Sequence, residues 1–107
     1  MSLENEFQSN LIKELKAMYP NAIITKLDAN HIQGIPDLLI LNGNKWAVLE
    51  CKKSAKAKYR PNQEYYLEKM NNMSFASVIY PENKEEILNE LQSALRTGRA
   101  SRISRSK

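Results

Sequence analysis

The chain has 107 residues, 42% of them hydrophobic and 26% charged, with a net charge of +4 at neutral pH. That is enough for one domain around one core and little more. No apolar run approaches the roughly 20 residues of a membrane helix, the polar, acidic N-terminus MSLENEFQSN is no secretory signal, and a lone cysteine, Cys51, excludes an internal disulfide or a multi-cysteine zinc site.

Phe7, Leu11, Leu15 and Met18 recur at helical spacing, which predicts a helix from about Leu3 to Tyr19, ended by Pro20. AIITKL is rich in β-branched residues and reads as a strand. PDLLIL and KWAVLECK read as two more, joined at Asn42, Gly43 and Asn44 by a hairpin turn. Pro61 suits a helix first turn, and Gln63, Tyr66, Leu67 and Met70 then share one face of a helix from about Pro61 to Asn72. SFASVIY is a fourth strand. Asn83 is placed to cap a last helix, with Glu86 completing a variant capping box and Ile87, Leu88, Leu91 and Leu95 as its apolar stripe. The order predicts an α/β fold with a mixed sheet flanked by helices. Residues 1–95 read as a single domain. From Arg96 on, RTGRASRISRSK carries four Arg and one Lys with no acid, leaving −1 for the remainder; this segment, 96–107, reads as a flexible basic arm.

The most apolar stretch, GIPDLLILNGNKWAVLECKK, is interrupted by Asp37, Glu50 and Lys52. Charges inside strand-like sequence need a reason, because burying one without a partner is costly. Alternation along the second hairpin strand puts Trp46, Val48, Glu50 and Lys52 on one face and Ala47, Leu49 and Cys51 on the other. A two-residue turn at Asn42-Gly43 pairs Asp37 with Val48; one at Gly43-Asn44 pairs it with Glu50. Either register puts Asp37 on the Glu50 side, with the carboxylates roughly 5–8 Å apart. A regular three-residue loop would turn it away unless a bulge restored the phase.

Two carboxylates that close repel unless a cation lies between them or one takes a proton. Their oxygens suit Mg²⁺, with Mn²⁺ as a substitute. Lys52 adds a fixed positive charge, and the set matches the needs of phosphodiester hydrolysis. On the first helix Glu4 is in line with Leu11 and Leu15, whereas Glu6 is about 200° round and faces solvent, so Glu4 is the better third acid. Gln63 is a polar residue on an apolar stripe, placed to hydrogen-bond a catalytic carboxylate, a metal-bound water or the phosphate backbone. Taken singly, Asp37 after Pro36 is an ordinary turn residue, and Glu50 with Lys52 an ordinary exposed pair. Their common facing is what makes a site. Cys51 reads as a core residue, Trp46, Tyr59, Tyr65 and Tyr66 as packing or interface residues, and His31, the only histidine, as loop polarity.

GIPD followed by ECK resembles the signature of the PD-(D/E)XK nuclease superfamily. Glu4 upstream, and Gln63 after KAKYRP, resemble the accessory positions of its VRR-NUC-like and phage Holliday-junction-resolvase-like members. The resemblance covers about Glu4 to Met70. It implies a restriction-endonuclease-like αβββαβ core and a metal-dependent DNA endonuclease. It further implies metal binding by Asp37, Glu50 and the backbone carbonyl of Cys51, with Glu4 as a further candidate, and a water-positioning role for Lys52. It implies branched DNA as substrate, a homodimer, and the reducing cytoplasm of a bacterial or phage-infected cell. Lys53, Lys56, Lys58 and Arg60 then become backbone contacts beside the scissile phosphate, giving affinity without sequence choice. The alternative is a non-catalytic or partner-dependent nucleic-acid-binding module of the same fold.

Overall fold

The computed structural model describes residues 3–96, so the expected arm lies outside the described residues except for Arg96 itself. The first helix, α1, spans Leu3–Met18. Its acids Glu4 and Glu6 in the first turn and Lys16 in the last complement the helix dipole. Leu11 and Leu15 are fully buried, with Phe7 and Met18 packed against the same core, as the spacing predicts.

Strands β1 (Ile23–Lys26), β2 (Leu38–Asn42) and β3 (Lys45–Cys51) follow, then helix α2 (Gln63–Met73), strand β4 (Phe75–Ile79), a single 3-10 turn over Pro81–Asn83 and helix α3 (Lys84–Ala94). The sheet order is β1-β2-β3-β4. The first three strands run antiparallel, and β4 lies parallel to β3 after the crossover through α2. The fold is thus α/β, with a four-stranded open mixed sheet and three helices among the described residues. None of these helices is long and apolar enough to cross a membrane.

Alternation fills the core as expected. Leu38, Ile40, Ala47, Leu49 and Cys51 meet Leu11 and Leu15 of α1 and Ile87, Leu88, Leu91 and Leu95 at α3. Each fully buried Leu is worth about 1.5–3 kcal/mol of transfer free energy. The opposite face carries Val48 and Glu50, and Gln63 of α2 bonds Glu50 there.

Of the two hairpin registers, the chain takes the second: Asn42 pairs with Lys45 and Leu38 with Leu49, leaving Gly43 and Asn44 as the turn. Gly43 has φ 64°, suited to the first central position of a hairpin turn. The side chain of Asn42 reaches back to donate to the Leu95 carbonyl at 3.2 Å, satisfying the end of α3.

Two local expectations are corrected. Helix α2 begins at Gln63 rather than Pro61, because Asn62 is left-handed at φ 71° and breaks the helical run. Asn83 stands before α3 but makes no side-chain cap. Its amide turns back instead: Oδ1 accepts from the Tyr80 N–H at 2.8 Å and Nδ2 donates to the Val78 carbonyl at 3.3 Å. The chain has to leave β4 through the Pro81 turn, and these bonds serve the polar groups freed there. Asn83→Ala is expected to cost about 1–2 kcal/mol in urea unfolding, with an unchanged m-value; no loss would mean that water replaces both bonds.

Candidate active site

The site forms at the C-terminal end of β3, where the hairpin opens away from its turn. In open α/β sheets this end of the strands is where ligands gather. Asp37 directly precedes β2 and lies one step beyond the Leu38–Leu49 pair, opposite Glu50. Two backbone bonds fix it. Its carbonyl accepts from the Leu27 N–H at 2.8 Å, and its Oδ2 accepts from the Cys51 N–H at 2.9 Å. Pro36 before it is fully buried, so the carboxylate stands on a rigid support.

Glu50, Lys52 and Gln63 are all buried, at 1%, 4% and 6% exposure. Gln63 joins them. Its Nε2 donates to Glu50 Oε2 at 2.8 Å, while its Oε1 accepts from Lys52 Nζ at 2.8 Å and from the Arg60 N–H at 2.7 Å. Lys52 Nζ also donates to the Lys58 carbonyl at 3.1 Å and stands 3.6 Å from Glu50 Oε2. Of the three partners open to Gln63, the structure therefore realises the carboxylate, with the lysine added. The amide orients both charged groups at once and ties them to the 52–62 loop. Glu50 Oε1 is buried and has no hydrogen-bond partner among the described residues.

The electrostatics follow from this crowding. Burial, and next the charge of Asp37, push the Glu50 carboxyl up to about 8, against the opposing pull of Lys52. Burial also raises Asp37, with Glu4 adding to the rise; the Cys51 N–H, Lys52 and Arg60 pull it down. The acids thus repel in the way their facing predicts. Glu4 is half-buried and its charge reaches Asp37 and Glu50, whereas Glu6 is exposed, the facing that the helical phase predicts. Burial pushes the Cys51 thiol far up, out of the range of a nucleophilic thiolate, and Gln8 bonds it. Its role is packing, and its N–H holds Asp37.

The donor set fits a hard divalent cation by its chemistry: an orphaned carboxylate oxygen beside a second carboxylate, with mutual repulsion to relieve. Among the described residues no group of three or more His, Cys, Asp and Glu side chains is arranged to hold a metal ion. Mg²⁺ commonly uses only one or two carboxylates, together with waters and substrate phosphate.

Lys53, Lys56, Lys58 and Arg60 are all exposed on the 52–62 loop that leaves the site. Sequence reading did not find what positions that loop. A Cβ at Gly34 would come within 2.5 Å of Asn62 Cβ and 2.6 Å of its carbonyl carbon, so the GIPD loop and the start of α2 meet at a glycine. The only sequence signal for this was the glycine itself. Nor did the sequence show that the Lys58 carbonyl would serve Lys52. Comparison with protein families, with curated proteins and with solved structures finds no match.

Proposed function

We propose that this chain is a divalent-metal-dependent DNA endonuclease with a restriction-endonuclease-like core, selective for branched DNA and acting as a homodimer. The observation that carries the reading is the placement of Asp37 one step beyond the Leu38–Leu49 pair, facing Glu50 beside Lys52, with Gln63 bonded to both Glu50 and Lys52. A binding module has no use for a half-buried acid facing a buried one next to a basic loop, since ionised carboxylates repel the phosphate it must hold. Branch selectivity and the dimer rest on the resemblance of GIPD and ECK to small junction-cutting nucleases.

In this reading Asp37, Glu50 and the Cys51 carbonyl would hold Mg²⁺, with Glu4 helping from α1. When bound, the cation would supply Lewis acidity toward the phosphate and lower the pKa of the attacking water. Lys52 orients that water and stabilises charge growing on the phosphate. Its 3.6 Å contact to Glu50, longer than either of its hydrogen bonds, is the one exchanged for a substrate oxygen. Gln63 keeps Lys52 and Glu50 aligned during the exchange, and Lys53, Lys56, Lys58 and Arg60 grip the flanking backbone.

The test is cleavage of labelled four-way-junction DNA and matched linear duplex in Mg²⁺ or EDTA, by wild type and Asp37→Ala. The expected result is metal-dependent cutting that prefers the junction and is lost in the variant. Equal cutting of both substrates removes the branch selectivity. Binding without cutting in Mg²⁺ and then in Mn²⁺ overturns the enzyme reading in favour of a non-catalytic or partner-dependent module.

A further inference from the structure

We propose that Tyr59 is the specificity-determining residue of this site: its ring stacks on a nucleobase next to the scissile phosphate, so the substrate is DNA with unpaired nucleotides at the cut. The inference rests on the nuclease reading and deepens it. The loop from Lys52 to Asn62 reads KKSAKAKYRPN, and Tyr59 is its only aromatic side chain. Lysines and an arginine account for phosphate binding; the ring is left unexplained by it. Tyr59 lies with its ring centroid 5.4 Å from Lys52 Nζ, within cation–π range. A phosphate that reaches Lys52 therefore arrives beside this ring. Tyr59 is nonetheless 41% exposed, so much of it is open to a ligand.

The ring is also held in place. On one side of it in the chain the Lys58 carbonyl accepts from Lys52 at 3.1 Å, and on the other the Arg60 N–H donates to Gln63 at 2.7 Å. Both flanking residues are tied to the buried network, which fixes Tyr59 relative to the acids. A rigid aromatic surface at the mouth of a basic site is a stacking platform. A base within continuous duplex has both faces covered by its neighbours and has none to offer, whereas an unpaired base does. Stacking on Tyr59 therefore favours flaps, gaps and branch points without any base-specific contact.

The test uses wild type, Tyr59→Phe and Tyr59→Ala. One readout is the ratio of cleavage of a flapped duplex to cleavage of a continuous duplex. The other is quenching of 2-aminopurine placed in the unpaired strand, read in EDTA so that it does not depend on turnover. Tyr59→Ala is expected to lower the cleavage ratio roughly tenfold, within the range of one base–aromatic stack, and to abolish the quenching. Tyr59→Phe is expected to retain both. Equal loss of cleavage on the two substrates, with quenching intact, overturns the inference and leaves the ring as a cover for Lys52. If wild type cuts neither substrate, the nuclease reading fails, while quenching lost only in Tyr59→Ala still supports the stacking surface.

Discussion

Gly34→Ala is expected to lower folding stability by about 3 kcal/mol and DNA cleavage at least a hundredfold, although position 34 bears no chemistry. Two costs combine. Gly34 has φ +91°, a conformation that side chains rarely adopt, and the added methyl would stand 2.6 Å and 2.8 Å from the Asn62 carbonyl carbon and oxygen. Those are backbone atoms, so no rotamer change relieves the contact. Relief requires the GIPD loop and the start of α2 to part. The first carries Asp37 and the second carries Gln63, and a displacement of about 1 Å between reacting groups can cost a hundredfold. Gly43→Ala is the control. Gly43 also has positive φ, 64°, but it occupies the hairpin turn at the far end from the site. It is expected to lose about 1 kcal/mol and no cleavage. Adding Asn62→Gly to Gly34→Ala removes the Cβ contact alone and gives partial rescue. Wild-type cleavage and stability in Gly34→Ala would show that the two loops are not held by this contact.

The contrast between Gly34 and Asp37 shows which parts of the site a sequence can express. The facing of Asp37 and Glu50 follows from a period of two and a short turn, both local properties, and either two-residue register gives the same answer. The choice between Glu4 and Glu6 follows in the same way from the helical period. The element order and the apolar stripes of α1 and α3 were legible for this reason too. The contact of Gly34 with Asn62 joins loops 28 residues apart in the chain, and no pattern at either position encodes it. Asn62 reads as an ordinary residue inside a helix start, yet its left-handed backbone ends that reading and moves the start of α2 to Gln63. Gln63 stood out as polar on an apolar stripe, but the sequence left three partners open. Only the folded loop, with the Arg60 N–H and Lys52 converging on Oε1, selects among them. Asn83 illustrates competition: its side chain suits a helix cap, and the carbonyl and N–H freed at the end of β4 took it instead.

In EDTA the protein is expected to become less stable as pH rises from about 5 to 8, by about 3 kcal/mol, part of what the shift yields at about 1.4 kcal/mol per unit. Glu50 is pushed from an ordinary 4.5 up to about 8, first by burial and then by Asp37. Within that window the folded chain keeps a proton that the unfolded chain has released, so stability is present at the low end and drains as pH climbs through the folded value. Asp37 is raised in the same direction, first by burial, so its own contribution has the same sign. The measurement is urea unfolding at pH 5, 6, 7 and 8 for wild type and Glu50→Gln. The variant keeps the shape and removes the titration, so its profile is expected to be nearly flat and to lie above wild type at pH 8. Mg²⁺ acts on the opposite side of the same equilibrium, because a cation is held by the ionised carboxylates and competes with their protons. It is expected to stabilise wild type more at pH 8 than at pH 6, and to leave Glu50→Gln little changed. Parallel slopes in the two proteins would remove Glu50 as the titrating group. A wild-type slope that Mg²⁺ does not diminish would remove the cation from this pair of acids, with no assay of cleavage involved.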